Sequence, residues 1–126
     1  MSDDCEKIPD ASGLLRRVHP DHVVLDRNTG RRRLSSGAFN DPRMSVDVEP
    51  MLVARGLDWT YSLKGHSEYS LVRLNAGFVR VHGQIVEHTP MPDNDCHADV
   101  VGKKTGTIRQ AFRVAAQWVK KPANVD

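Results

Sequence analysis

The chain has 126 residues and a mass of 14.1 kDa, with 39% hydrophobic residues, 27% charged residues and a formal net charge of +2. That length suits one domain with a core large enough to need no metal or disulfide staple. No apolar run approaches the roughly 18 residues needed to span a membrane, no fixed-period repeat or heptad array occurs, and a small positive excess does not by itself imply nucleic-acid binding.

Residues 1–13 are polar, with Asp3, Asp4, Glu6 and Asp10 against Lys7. They read as an acidic flexible tail. The start MSDDCEKIPD has no apolar stretch of the secretory kind. Cys5 and Cys96 are the two cysteines, and neither lies in a CxxC. A cytoplasmic setting with free thiols is the expectation.

Leu14–His19 reads as a strand, because it stops at Pro20 and the residue before proline disfavours helix. A second short strand is expected at His22–Leu25, followed by the turn DRNTG. Arg31–Asp41 has no clear period and reads as loop, with Phe39 as its anchor. Met44, Val46 and Val48 alternate with Ser45, Asp47 and Glu49, the period of a half-buried strand. Pro50 and Gly56 bracket a short helix near 50–55.

Leu57–Tyr61 is expected as a short strand and Lys64–Ser67 as loop. Ser70–Asn75, Phe78–His82 and Gln84–His88 then predict a three-stranded antiparallel meander, turning at Ala76-Gly77 and at Gly83. In the first of these, Val72 and Leu74 share one face, and Leu71, Arg73 and Asn75 the other. A face carrying Phe78, Arg80, Arg73 and His82 would offer cations beside an aromatic ring. Residues 97–101 form a last strand. Ile108, Phe112, Ala115 and Val119 recur at helical spacing, widened by Trp118. Thr105 or Thr107 would cap that helix and Pro122 would stop it.

The expected fold is α+β. An antiparallel sheet of five to six strands packs against a long C-terminal helix, with one short helix near 50–55. The globular domain spans 14–122, and 123–126 is a short tail.

Charge distribution bears on function. Between Leu14 and Arg43 stand seven arginines against Asp21, Asp26 and Asp41, a local excess of +4. Arginine grips phosphate and carboxylate through a bidentate fork. Arg17, Arg31, Arg32 and Arg33 are therefore candidate anion-binding residues. Lys103 and Lys104 join them. They sit in GKKTGT, where a strand meets a helix N-terminus and backbone N–H groups can hold an anion.

Catalytic motifs are sparse. No P-loop, GxGxxG, GxSxG, HExxH or paired CxxC occurs. No cofactor and no metal site are expected. Metal-independent chemistry on RNA or a nucleotide needs a general acid, a general base and a cation for the phosphate. His19 and His97 with Arg16 could supply these. Arg16, Ser45 and Glu87 also stand in the order that ADP-ribosyl transfer uses: an arginine on the first strand, a serine on a later one and a late glutamate. The reading that follows is a small binding or accessory module presenting arginines to an anionic partner, either a nucleic acid, a nucleotide or an acidic protein. The alternative is a small enzyme acting on RNA or a nucleotide.

Overall fold

Side chains along a strand alternate between faces, and this alternation builds the sheet. In the computed structural model, which describes residues 7–123 and 125, Gly13–Val18 forms β1. Leu14 and Val18 point into the main core; Leu15 points into a second, smaller cluster on the opposite face. Arg43–Val48 (β4) and Ser70–Asn75 (β5) repeat the pattern. Met44, Val46, Val48, Val72 and Leu74 enter the main core, and Leu71 enters the second cluster.

Ile85–His88 (β6), His97–Val101 (β7) and Gln117–Lys120 (β8) complete a six-stranded antiparallel sheet in the order β6-β7-β4-β1-β5-β8. Val23–Leu25 (β2) pairs with Arg32–Leu34 (β3) as a separate hairpin. The fold is therefore α+β, as the patterning predicts. The segment read as loop at 31–41 contributes β3 and a 3₁₀ turn over Ser36–Phe39, in which Phe39 is fully buried.

Among the described residues, three α-helices cover the sheet. Glu49–Ala54 (α1) starts with Pro50 in its first turn and is followed by Gly56 at φ +73°, a left-handed conformation that suits glycine. Its Leu52 fills the second cluster. Ala76–Val81 (α2) and Gly106–Ala115 (α3) cover the main core through Val79 and Phe112. Phe112 meets Phe39 edge-on, with ring centroids 6.0 Å apart.

Three predicted elements take other forms. Phe78–His82 is mostly helix rather than the middle strand of a meander. Asn75 caps α2, its Oδ1 accepting from the Phe78 N–H at 3.0 Å. The chain passes so close that a Cβ on Gly77 would stand 3.0 Å from Cβ of Asp10. β6 consequently pairs with β7. Leu57–Tyr61 supplies the start of a 3₁₀ turn, Trp59–Leu63, capped by Asp58. The C-terminal helix, capped by Thr105, ends at Ala115. Ala116 is extended, and Trp118 and Val119 belong to β8, where they face opposite clusters. The apolar stripe joined two elements, because Trp118 and Val119 satisfy a strand as readily as a helix.

Residues 1–6 of the expected tail lie outside the described residues. Within the described part, Ile8 is only 1% exposed and lies in the main core. Asp10 and Ser12 accept from the backbone N–H groups of Gly77 and Ala76. Residues 8–12 are thus docked on α2. Among the described residues, no helix is long and apolar enough to cross a membrane.

Candidate anion-binding cleft

β1 and β4 pair only at Leu14↔Val48 and Leu15↔Asp47. β1 keeps its full length on β5, and β4 keeps Arg43–Asp47 on β7. Each strand follows its other neighbour, so Arg16–Val18 and Met44–Val46 leave the shared ladder. A cleft of about 380 Å³ lies here, within the usual size range of small-ligand sites.

Arg16 spans the opening. Its Nη1 donates to the Ser45 carbonyl at 3.1 Å and its Nε to the Ala38 carbonyl at 3.3 Å. Strands that part leave carbonyls without ladder partners, and a buried carbonyl must find a donor. The guanidinium is that donor. Burial lowers the Arg16 pKa, with Asp41 opposing and Arg17 assisting that shift; arginine remains charged regardless. Neither hydrogen bond uses Nη2. Arg17, one residue on and exposed, donates from Nη1 alone to the Ser62 carbonyl at 3.2 Å.

The floor is held by Asp47. This buried carboxylate accepts from Ser62 Oγ at 2.6 Å and from Asn94 Nδ2 at 2.8 Å. It thereby ties β4 to two walls, the 3₁₀ turn and the β6–β7 loop. Tyr61 ties those walls to each other, its hydroxyl donating to the Asp93 carbonyl at 2.7 Å. Lys64 lies at the rim, with Nζ 6.0 Å from the Tyr61 ring centroid.

Two histidines line the same cleft, His66 and His97. His97, on β7 opposite Asp47, has Nδ1 3.0 Å from the Thr89 carbonyl and 2.9 Å from Thr89 Oγ1. Its Nε2 lies 3.9 Å from Asp99 Oδ1. The His66 ring meets Tyr69 edge-on at 5.1 Å.

Of the residues singled out from the sequence, Arg16, Arg17 and His97 share this cleft. His19 does not line it. It caps a 3₁₀ turn at Pro20–His22, where Nδ1 accepts from the Asp21 N–H at 3.0 Å, and its ring stacks edge-on against Tyr69. Arg31, Arg32 and Arg33 lie on the β2–β3 hairpin. Arg32 donates to the Val23 carbonyl at 3.3 Å, and Arg33 pairs with Asp26 at 3.3 Å.

Lys103 is exposed beside α3. Lys104 is buried, and its Nζ donates to the carbonyls of Val100, Gly102 and Pro42 at 2.9, 3.2 and 3.3 Å. An ammonium has three N–H groups, so none remains for an anion; Lys104 is structural where the sequence suggested a ligand-binding role.

Ser45 joins Arg16 at the cleft, but Glu87 stands on β6 and pairs with Arg43 at 3.0 Å. The Arg–Ser–Glu order therefore does not become one site. The expected Phe78 face is dispersed as well. Phe78 packs on Phe112, Arg80 pairs with Asp10 at 2.6 Å, and Arg73 binds Glu49 through both carboxylate oxygens.

Sequence reasoning missed Asp47, Tyr61, Lys64 and His66 as cleft residues. Asp47 carried one signal, since Leu15 and Leu71 show that the second sheet face is also covered. The others sit in a turn and loop with no periodicity to read.

Cys96 is a buried free thiol that burial raises to about 11, which keeps it protonated and unreactive at neutral pH. Cys5 lies outside the described residues. Among the described residues, no group of three His, Cys, Asp or Glu side chains is arranged to hold a metal ion. Comparison with known proteins gives no match to a family model, to a curated protein or to a solved structure.

Proposed function

We propose that the chain is a cytoplasmic binding module for a phosphate-bearing anion, a nucleotide or one nucleotide unit of a nucleic-acid strand, seated in the β1–β4 cleft. The observation that carries this reading is that Arg16 and Arg17, from opposite faces of β1, and Lys64 all line one concave site that Tyr61 also lines. Arg16 and Arg17 hold guanidinium N–H groups outside their hydrogen bonds to Ala38, Ser45 and Ser62. Such groups recognise phosphate in a fork, and Lys64 adds a point charge. Tyr61 offers a ring on which a base can stack.

Titration calorimetry with ATP, AMP, inorganic phosphate and a short single-stranded RNA tests the proposal. Each charge-assisted hydrogen bond contributes roughly 1.5–3 kcal/mol. Arg17→Ala with Lys64→Ala should therefore weaken nucleotide binding at least about tenfold, and binding should fall with salt. Absence of binding to every probe at low salt would sink the reading.

A further inference from the structure

We infer that the cleft cleaves single-stranded RNA by transesterification at the ribose 2′-hydroxyl, with His97 as general base and His66 as general acid. The inference rests on the anion-binding reading of the same cleft and adds an activity to it.

The carbonyl of Thr89 can only accept a hydrogen bond. The tautomer that uses this carbonyl, 3.0 Å from His97 Nδ1, carries its proton on Nδ1, and the Thr89 hydroxyl at 2.9 Å fits either tautomer. In the neutral ring Nε2 is then the bare, basic nitrogen. Asp99, 3.9 Å from Nε2, would stabilise the imidazolium that forms once Nε2 takes a proton. Thr89 and Asp99 thus orient and support His97 as a base-and-partner pair does in other acid–base sites. His66 lines the same cleft, and among the described residues no hydrogen bond occupies its ring nitrogens. It is open to hand a proton to a bound ligand. Arg16, Arg17 and Lys64 supply positive charge where a pentavalent phosphorane would gather negative charge.

The step balances without a co-reactant. The 2′-oxygen attacks the adjacent phosphorus as His97 Nε2 takes the hydroxyl proton. The bond from phosphorus to the 5′-oxygen breaks, and His66 protonates that oxygen. The products are a 2′,3′-cyclic phosphate and a free 5′-hydroxyl.

The experiment uses the full chain in chelator-containing buffer with a labelled single-stranded RNA of mixed sequence and its all-deoxy counterpart. Cleavage of the RNA alone, giving cyclic-phosphate ends, is the expected result. His97→Asn and His66→Asn should each lower the rate at least about a hundredfold while binding of the deoxy strand stays within about twofold. Two histidine variants keep the test alive if one fails to fold. Binding of both strands without cleavage overturns the inference and leaves the binding reading intact. Failure to bind either strand or any nucleotide overturns both. Cleavage that persists in both variants, or that leaves a 3′-hydroxyl, overturns the assigned chemistry.

Discussion

Two clusters of arginine stand 15 residues apart in sequence, counting from Arg16 to Arg31, and the fold treats them differently. Arg31, Arg32 and Arg33 form the denser run. They sit on a two-stranded hairpin, where Arg32 turns back to the Val23 carbonyl and Arg33 to Asp26 and the Leu34 carbonyl. Arg16 and Arg17 are only a pair, yet they stand where the main sheet parts and where a turn and a loop close in from the sides. Charge density along a chain measures how many guanidinium groups are near one another. What a ligand meets is concavity, and the N–H groups that the fold has not already engaged. The cleft has both. Of the hairpin's three, Arg32 borders a separate cavity of about 530 Å³ with Lys120 and Lys121, and Arg33 bonds back to Asp26 and the Leu34 carbonyl.

Removing Arg16 should break the cleft most severely. Arg16→Met keeps the length of the stem but strips the donors from the Ser45 and Ala38 carbonyls. Each unsatisfied carbonyl costs roughly 1–3 kcal/mol, so a loss of about 2–6 kcal/mol in denaturant unfolding is expected, together with loss of nucleotide binding. A variant as stable as the wild type would show that water replaces the guanidinium freely. Asp47→Ala comes next. It frees Ser62 and Asn94 at once, and about 1–3 kcal/mol should go with them. The Asp93 tether to Tyr61 remains, so the walls loosen without separating. Binding that weakens less than in Arg16→Met is the expected order, and the reverse order would place the cleft's rigidity in its floor.

The sequence reveals more of the sheet than of the cleft, for a physical reason. Met44, Val46 and Val48, and Val72 and Leu74, show period 2 because one sheet face is apolar. Those strands could be read directly. Phe78–His82 also alternates, but Asn75 can cap a helix and Gly77 lets the chain lie against Asp10. Local capping and a tertiary contact override a pattern only five residues long. The parting of β1 from β4 leaves no mark in either strand, because it depends on which neighbour each follows farther. Arg16, Arg17 and His97 were legible as chemical types. Their convergence was not, and neither was the recruitment of Tyr61, Lys64 and His66 from a segment without period.

A smaller effect separates a cation bound to backbone from one facing a ligand. Burial holds Lys104 at about 8, below its ordinary 10.5. Below pH 8 the ammonium is protonated in the folded and unfolded chains alike. Between pH 8 and 10.5 the unfolded chain binds more protons at this site, so its contribution to stability rises with pH. The unfolding free energy of the wild type minus that of Lys104→Met should climb across that window and level off above it. Denaturant melts at several pH values measure the difference. A flat difference would mean that the three carbonyls hold the ammonium charged throughout, outweighing its burial.

The smallest change is expected where the sequence drew most attention. Replacing Arg31, Arg32 and Arg33 together by Ala removes the Arg33–Asp26 pair, whose side chains are 42% and 24% exposed. Partly exposed pairs contribute roughly 0.2–1 kcal/mol, and Val23 and Leu34 still pack the hairpin onto the core. Stability should fall by about 1–2 kcal/mol, since the part-buried Val23 and Leu34 carbonyls also lose their Arg32 and Arg33 donors. Nucleotide binding should stay within about twofold of wild type at moderate salt, because none of the three lines the cleft. At low salt a modest loss should emerge, since three charges outside the site still act over a Debye length of roughly 30 Å at 0.01 M and about 10 Å at 0.1 M. That salt signature distinguishes steering from contact. A large loss that survives moderate salt would move the ligand from the cleft to the hairpin, and with it the functional weight from Arg16 and Arg17 to the longer run.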